Sequence, residues 1–263
     1  MARPAHPYLD GPFPRAFAHR GWHLGDLAGL ENSAAAFVRA VEEGYTYLET
    51  DVRATSDGVA VVLHDATLDR TTDGDGPVRD VAWERLRAVR IGGREPVARL
   101  DELLEAVPRS LLNVDVKADD AVGPTLEVLH RTGAWARVCL ASFSERRLQR
   151  LRAAGGPRLL TSLGTLSAVS LRVGSLLPRG WPAPPVRGAL AQLPVRYGPL
   201  PVVDGPLVRS AHRRGMEVHA WTVDRAPAMA ALLDLGVDGI VTDRPDLLRE
   251  VLRGRGQWAA PPP

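Results

Sequence analysis

This chain has one cysteine, no long apolar run, and an N-terminal stretch unlike a signal peptide. Cys139 is the single cysteine among 263 residues, which excludes an intrachain disulfide framework and favours a reducing compartment. No run of about 18 apolar residues is present, so a membrane-spanning helix is not expected. The first 14 residues contain four prolines and no apolar stretch, unlike a signal peptide. These features predict a cytoplasmic protein without stable membrane insertion.

Net charge is also close to zero. The chain carries 33 Lys and Arg against 31 Asp and Glu, a formal charge of +2, which gives no reason to expect a nucleic-acid partner. Lysine and asparagine are nearly missing, since Lys117 is the only lysine and Asn32 and Asn113 are the only asparagines. A chain so biased against two residue types has kept them in few places, which indicates special sites there.

Strand-like and helix-like segments alternate along the chain. Apolar runs predict eight main strands, at residues 15–18, 47–52, 111–116, 138–141, 159–163, 189–193, 216–223 and 239–241. Helical spacing predicts helices at residues 34–44, 100–107, 123–132, 144–153, 167–177, 206–214, 227–235 and 247–252. An Asp57-Gly58 turn and the apolar run 59–63 predict a hairpin on the second strand.

This alternation determines the predicted fold class, which is α/β. Eight units in roughly 250 residues suit a closed (β/α)8 TIM barrel that forms one domain over residues 1–263. A doubly wound open sheet is the alternative, but no glycine-rich dinucleotide fingerprint follows the first strand.

Two acids on the second strand suggest a cation site. Side chains alternate along a strand, so Glu49 and Asp51 share one face. Neighbouring carboxylates repel each other unless a positive charge lies between them, and sites built from oxygen alone suit Mg²⁺ or Ca²⁺. Taken alone, the pair is more often a solvated surface feature, and the remaining strand ends decide between these interpretations.

Polar residues collect where the other predicted strands end. They are His19, Arg20, His64, Asp115, Lys117 and Asp243, with Phe143 and Trp221 at two further ends. In a TIM barrel these positions share one mouth, which carries the active site. Carboxylates can hold a hard cation, Arg and Lys can stabilise a phosphate, and two histidines can serve as acid and base. The sum predicts metal-assisted phosphodiester cleavage.

These residues stand in motifs that resemble the glycerophosphodiester phosphodiesterase family over residues 16–249. The matching segments are Ala18-His19-Arg20-Gly21, Glu31-Asn32, Glu49-Thr50-Asp51-Val52, His64-Asp65, Leu68-Asp69-Arg70-Thr71-Thr72, Asn113-Val114-Asp115-Val116-Lys117, Ser142-Phe143, Trp221-Thr222-Val223 and Thr242-Asp243-Arg244-Pro245. Any one segment is weak, whereas all of them in this order are specific. The resemblance implies a TIM barrel with a small insertion after the second strand, which here corresponds to residues 66–98.

The resemblance also implies a site and a reaction. It assigns an Mg²⁺ or Ca²⁺ ion to Glu49, Asp51 and Asp115, acid–base catalysis to His19 and His64, phosphate binding to Arg20 and Lys117, and the substrate pocket to Glu31, Phe143 and Trp221. The substrate would be a small-molecule phosphodiester, cleaved to an alcohol and sn-glycerol 3-phosphate. The oligomeric state is left open.

Two positions depart from the family, and two alternative functions remain. Asp115 stands where the family usually has Glu, Asp224 stands where it often has Asn, and residues 164–205 match poorly. One alternative is phospholipase D-like or sphingomyelinase D-like hydrolysis of lysophospholipids, and the other is a non-catalytic anion-binding barrel. Among the remaining polar residues, His23 could line the mouth, although a solvated loop position is favoured for it, His219 is predicted in the core, and Cys139 is predicted as an inert buried thiol.

Overall fold

The computed structural model describes residues 5–178, 181–182 and 184–258. Its strands are β1 (Arg15–His19), β2 (Tyr47–Ala54), β3 (Ala60–Val62), β4 (Arg90–Ile91), β5 (Glu95–Pro96), β6 (Leu111–Val116), β7 (Val138–Ala141), β8 (Leu160–Thr161), β9 (Leu190–Pro194), β10 (Arg196–Tyr197), β11 (Leu200–Pro201), β12 (Glu217–Trp221) and β13 (Gly239–Thr242). Its helices are α1 (Ala34–Glu42), α2 (Trp83–Leu86), α3 (Leu100–Ala106), α4 (Val122–Thr132), α5 (Glu145–Gly155), α6 (Thr165–Leu176), α7 (Gly205–Arg213), α8 (Ala226–Asp234) and α9 (Pro245–Gly254). Residues 1–4, 179–180, 183 and 259–263 lie outside the described residues.

Eight parallel strands form a nearly closed barrel with helices between them. Their order is β8-β7-β6-β2-β1-β13-β12-β9. A parallel bridge between Ser162 and Leu190, supported by a 2.9 Å hydrogen bond from the Ala189 amide to the Thr161 carbonyl, joins the first strand of this order to the last. The TIM-barrel prediction is therefore confirmed, and closure excludes an open doubly wound sheet.

Alternation along the strands separates the barrel interior from the helix layer. Leu48 and Val52 of β2 pack outward in the cluster that contains Phe37 of α1 and Leu103 of α3. Tyr47 of the same strand faces inward, in an apolar floor that also contains Tyr8, Phe17, Cys139, Leu160, Leu190 and Val241. Because side chains repeat every second residue, Glu49 and Asp51 continue the inward face above this floor. The fold thus places the carboxylates of Glu49 and Asp51 at the mouth of the barrel.

A buried polar cluster lies within the barrel, near the start of β1 and β12. The Arg15 side chain pairs with Glu217 at 2.9 Å, and His219 lies 3.0 Å from the other oxygen of the same carboxylate. All three side chains are buried, as is Cys139 in the neighbouring floor. The predictions of a core histidine and a buried thiol are confirmed, and burial raises the pKa of the Cys139 thiol.

The chain between β2 and α3 begins with the predicted hairpin. β3 pairs antiparallel with β2, with Val62 opposite Val52. The residues that follow, up to 98, contain α2 and the β4–β5 hairpin and build their own apolar cluster around Leu68, Val78, Leu86 and Ile91. Leu86 is fully buried there, so its role is packing.

Across the described residues, no helix combines the length and the apolarity that are needed to cross a membrane.

Candidate active site

Three buried carboxylates stand at the centre of the mouth. Asp51 of β2 is in register with Asp115 of β6, and Glu49 lies one inward position below Asp51. Oε2 of Glu49 and Oδ1 of Asp115 have no hydrogen-bond partner among the described residues. Buried carboxylate oxygens without partners are costly, so this trio is built to receive a positive group.

Lys117 supplies one such positive group. Its Nζ atom lies 2.7 Å from Oδ1 of Asp51 and 2.6 Å from Oδ2 of Asp115. Burial by itself would lower the pKa of Lys117, but the two carboxylates raise it above its ordinary value. The only lysine of the chain is therefore a charged group at the centre of the site.

Glu49 and Asp51 differ in electrostatic environment. Burial and the neighbouring Asp51 carboxylate raise the pKa of Glu49 to about 7. Burial alone would also raise the pKa of Asp51, but Lys117 and Arg20 lower it below its ordinary value. Of these two acids, Glu49 is thus the one whose negative charge is less compensated by neighbouring positive groups.

His19 is held between two carboxylates at the end of β1. Its Nδ1 atom lies 2.6 Å from Oδ1 of Asp243, and its Nε2 atom lies 3.6 Å from Oε2 of Glu49. Burial by itself would lower the pKa of His19, but Glu49 and Asp243 raise it above its ordinary value. His23 lies 3.2 Å from the same Asp243 oxygen, so the favoured surface position for His23 is wrong and the alternative, a position at the mouth, is confirmed.

The β1–α1 loop contributes two residues in the left-handed backbone region. Arg20 has φ of 56° and Asn32 has φ of 62°, an uncommon conformation for side chains other than glycine. Asn32 donates to Oδ2 of Asp51 at 2.9 Å, and Nε of Arg20 lies 3.3 Å from the same oxygen. Left-handed backbone conformations of residues other than glycine concentrate at functional sites. Here they accompany the contacts of both side chains with the Asp51 carboxylate.

A continuous series of ion pairs connects this centre to His64. Arg20 donates to Glu31 at 2.7 Å, and Arg70 donates to the same Glu31 oxygen at 2.7 Å. Arg70 also pairs with Asp65, whose Oδ1 lies 2.6 Å from Nδ1 of His64. His19 and His64 are thereby each paired with an aspartate through Nδ1.

The aromatic residues line another side of the mouth. Phe143 and Trp221 meet edge to face, with ring centroids 5.6 Å apart, and Nζ of Lys117 lies 6.0 Å from the Phe143 centroid.

An open cleft of about 680 Å³ also begins at Lys117 and runs between the β3–α3 segment and the loop after β6. Its polar lining includes Thr67, Arg79, Asp119, Asp120 and Arg147.

All ten sequence-predicted site residues lie at this mouth or adjoin it through the contacts above. Sequence reasoning gave no role to Asp65 and Arg70, although both lie in quoted motifs, and it noted Asp243 without assigning it to the site. The rarity of asparagine was the signal that pointed to Asn32, which contacts Asp51. Asp224 accepts hydrogen bonds from the Thr242 hydroxyl and the Asp243 amide, so this departure from the family keeps a turn-forming role.

In the described ranges, no group of three or more His, Cys, Asp or Glu side chains has the spacing of a metal site. Glu49, Asp51 and Asp115 do not meet that spacing here, and the ammonium group of Lys117 lies between two of them. The donor set nevertheless fits a hard cation, because it consists of carboxylates, and Oε2 of Glu49 and Oδ1 of Asp115 accept no hydrogen bond from the described residues.

The chain is similar to known proteins over most of its length. The model of the glycerophosphoryl diester phosphodiesterase family matches residues 19–247. A Mycobacterium tuberculosis protein named probable glycerophosphodiester phosphodiesterase 2 is 42% identical over 245 residues, which cover 92% of each chain.

Solved structures show the same fold. A glycerophosphodiester phosphodiesterase from Agrobacterium tumefaciens superposes with a TM-score of 0.71 at 26% identity and covers 89% of this chain and 98% of its own. An Oleispira antarctica phosphodiesterase, solved in complex with the product sn-glycerol-3-phosphate, superposes with a TM-score of 0.74 at 22% identity and covers 92% of this chain and 97% of its own.

Proposed function

This chain belongs to the glycerophosphoryl diester phosphodiesterase family, and from that premise we propose that it hydrolyses glycerophosphodiesters to an alcohol and sn-glycerol 3-phosphate, with Mg²⁺ or Ca²⁺ bound. Membership makes it a phosphoric diester hydrolase. The observation that carries the detailed proposal is the pair of histidines, each held by an aspartate through Nδ1 at 2.6 Å, beside the Lys117 and carboxylate centre.

Hydrolysis of a phosphodiester requires two proton transfers. A proton must leave the attacking water as its oxygen bonds to phosphorus, and a proton must reach the departing alkoxide as its bond to phosphorus breaks. Asp243 and Asp65 fix His19 and His64 through Nδ1, which leaves each Nε2 for the substrate. We assign the two transfers to these two histidines.

Binding of the phosphate falls to the cations of the site. Lys117 and Arg20 are both held by carboxylates at the end of the strands, so they are ordered before substrate arrives. Preorganised positive groups stabilise charge that develops on phosphate oxygens without further reorganisation.

Glu49, Asp51 and Asp115 are the residues that would hold the divalent cation. Oε2 of Glu49 and Oδ1 of Asp115, which lack hydrogen-bond partners among the described residues, support this assignment, and a bound cation would supply Lewis-acid stabilisation of the phosphate. Lys117 would then share Asp51 and Asp115 with the ion.

A lysophospholipid, cleaved in a phospholipase D-like or sphingomyelinase D-like reaction, is the alternative substrate. A non-catalytic barrel is disfavoured because both histidines and all three acids are retained. The cytoplasmic location and the single-domain organisation stay predictions from the sequence.

The direct test is turnover of glycerophosphocholine by the purified protein with Mg²⁺ or Ca²⁺, followed by enzymatic detection of glycerol 3-phosphate. We expect His19→Ala and His64→Ala each to reduce kcat by about 10²-fold or more. A lysophospholipid assayed in parallel distinguishes the alternative substrate. Full activity of the double variant would falsify the acid–base assignment.

A further inference from the structure

The mouth of the barrel has two unlike halves. The loops after β13, β1, β2 and β6 carry the charged site described above. The loops after β7, β8 and β9, which are neighbours in the barrel, instead expose large apolar side chains. These are Phe143, Leu166, Tyr197 and Leu200, which are 59%, 69%, 77% and 64% exposed and are called here the apolar arc.

The residues of the apolar arc are held at the rim by the backbone. Phe143 follows β7, and its carbonyl accepts a 3.0 Å hydrogen bond from the amide of Thr165, one residue before Leu166. Tyr197 and Leu200 face each other in the β10–β11 hairpin, which follows β9 at the mouth. Helix α6 continues the exposure along the side of the barrel through Val169, Val173 and Leu176. A helix that is apolar on its solvent side is unusual, and exposed apolar patches of this size mark interaction surfaces.

The same part of the chain has a one-sided charge. Residues 146–203 contain nine arginines and no aspartate or glutamate, although the whole chain is nearly neutral. Several of these arginines pair with acids from outside the segment, as Arg147 does with Asp119 and Arg172 does with Asp204. The arginines that matter for a partner are therefore those without such an acid.

Two such arginines, Arg146 and Arg196, together with Arg225 from outside this segment, are called here the rim arginines. Arg146 lies in the first turn of α5, Arg196 lies in the hairpin, and Arg225 precedes α8 after β12. All three are exposed, and within the described part of the chain none of them forms an ion pair with a carboxylate. Apolar side chains and uncompensated arginines thus share one edge of the mouth.

We propose that the apolar arc and the rim arginines dock the protein on an anionic lipid bilayer, with the mouth of the barrel turned towards the lipid head groups. Peripheral binding draws on both terms, since apolar side chains enter the head-group region and each basic residue near the surface adds electrostatic attraction. Contact between two copies through this surface would bring six rim arginines together, which disfavours self-association.

The test is co-sedimentation with phosphatidylcholine vesicles that either contain or lack phosphatidylglycerol. We expect the protein to bind the anionic vesicles, to bind the neutral ones much more weakly, and to dissociate as salt is raised. Changing Leu166, Tyr197 and Leu200 together to Ser should weaken binding by about tenfold or more. Changing the three rim arginines to Gln should weaken it by about fivefold per charge and remove most of the salt dependence.

Matched controls come from elsewhere on the surface. Val38→Ser removes an exposed apolar side chain from α1, and Arg253→Gln removes an exposed arginine from the last turn of α9, at the opposite end of the barrel. Both should bind vesicles like the unmodified protein. Circular dichroism checks the fold of every variant.

A second measurement does not depend on multiple substitutions. With Cys139 buried, Leu200→Cys introduces a single accessible thiol for an environment-sensitive fluorophore. Its emission should shift to the blue with anionic vesicles, whereas the same label at Val38→Cys should not respond. No vesicle binding, equal binding by the serine triple variant, or a dimer in sedimentation velocity that this variant abolishes would each overturn the proposal. None of these measurements requires diester turnover, so they stand apart from the proposed function.

Discussion

At the scale of single residues, the only lysine of the chain and one of its two asparagines contact Asp51. Nζ of Lys117 and the side-chain nitrogen of Asn32 each lie within 2.9 Å of an oxygen of that carboxylate. Asn32 precedes Asp51 in the sequence and Lys117 follows it. At every other Lys or Arg position the chain has arginine, whose guanidinium group is planar and larger than the compact ammonium group of lysine. The position between Asp51 and Asp115 therefore suits a small ammonium group.

The Asp243–His19 pair yields a pH prediction. The Asp243 carboxylate contributes to raising the pKa of His19, so Asp243→Asn should lower that pKa and reduce the protonated fraction at neutral pH. A limb of the kcat/KM profile that reports protonated His19 should move to lower pH, with a loss in rate of about 10²-fold. Asp224→Asn, which keeps an acceptor for Thr242 and the Asp243 amide, is the matched control and should leave the profile unchanged. An unshifted profile in Asp243→Asn would argue against its role.

Asp115 gives the metal prediction. Its Oδ1 atom has no hydrogen-bond partner among the described residues, so Asp115→Asn should weaken Mg²⁺ or Ca²⁺ binding by about 10-fold to 100-fold in titration calorimetry. Asp115→Glu keeps the carboxylate on a side chain one methylene longer and should keep affinity within about tenfold. Equal affinity in the Asn variant would remove Asp115 from the ligand set.

At the scale of elements, the β1–α1 loop organises one side of the site. It contains Arg20 and Asn32 in left-handed conformations and Gly21 with φ of +87°, and the Asn32 amide donates to the Arg20 carbonyl at 2.9 Å. Gly21 packs directly on α1, where an added Cβ atom would lie 2.8 Å from the Ala36 carbonyl carbon. The position of the loop is therefore set by backbone contact.

A glycine pair in this loop tests that statement. Gly21→Ala should cost about 3 kcal/mol or more of unfolding free energy, since it combines an unfavourable φ with a backbone clash. Gly29→Ala has a similar φ of +81° but nothing within 4 Å of the added Cβ atom, so it should cost only about 1 kcal/mol. Urea unfolding measures both, and equal costs would show that the contact with α1 is unimportant.

At the scale of the whole molecule, a buried ion pair connects distant parts of the barrel. Arg15 of β1 and Glu217 of β12 are 202 residues apart in sequence, and β13 lies between their strands. Burial alone would raise the pKa of Glu217, but hydrogen bonds with His219 and Arg15 lower it to about 2. The stability of the closed barrel therefore depends on the ionisation of the Glu217 carboxylate.

This coupling predicts the acid sensitivity of the fold. Because the folded pKa of Glu217 is depressed, its contribution is present above its unfolded pKa, near 4.5, and is lost as pH falls towards about 2. The depression corresponds to about 3 kcal/mol. Glu217→Gln should therefore be less stable by about that amount at neutral pH and should lose less stability on acidification, as measured by urea unfolding. Glu84→Gln, in an exposed pair with Arg87, should behave like the unmodified protein.

The sequence predicted the architecture well because local periodicity and closure both follow from repeated βα units. Every predicted main strand has an observed counterpart, and Ser33 and Ser144 cap their helices. The short hairpins β4–β5 and β10–β11 were not predicted, because two-residue strands leave no periodic pattern. His23 was misplaced for a related reason, since the path of an irregular loop depends on what it packs against.

By itself, the sequence determined the barrel, the family and which residue types meet at its mouth, because strand periodicity and motif order are local properties. Only the tertiary structure decided which groups pair with which. It placed Lys117 between Asp51 and Asp115, connected His64 to Arg20 through Arg70 and Glu31, and exposed one apolar and basic half of the mouth. These contacts join residues far apart in the chain, so they exist only once the strands have closed.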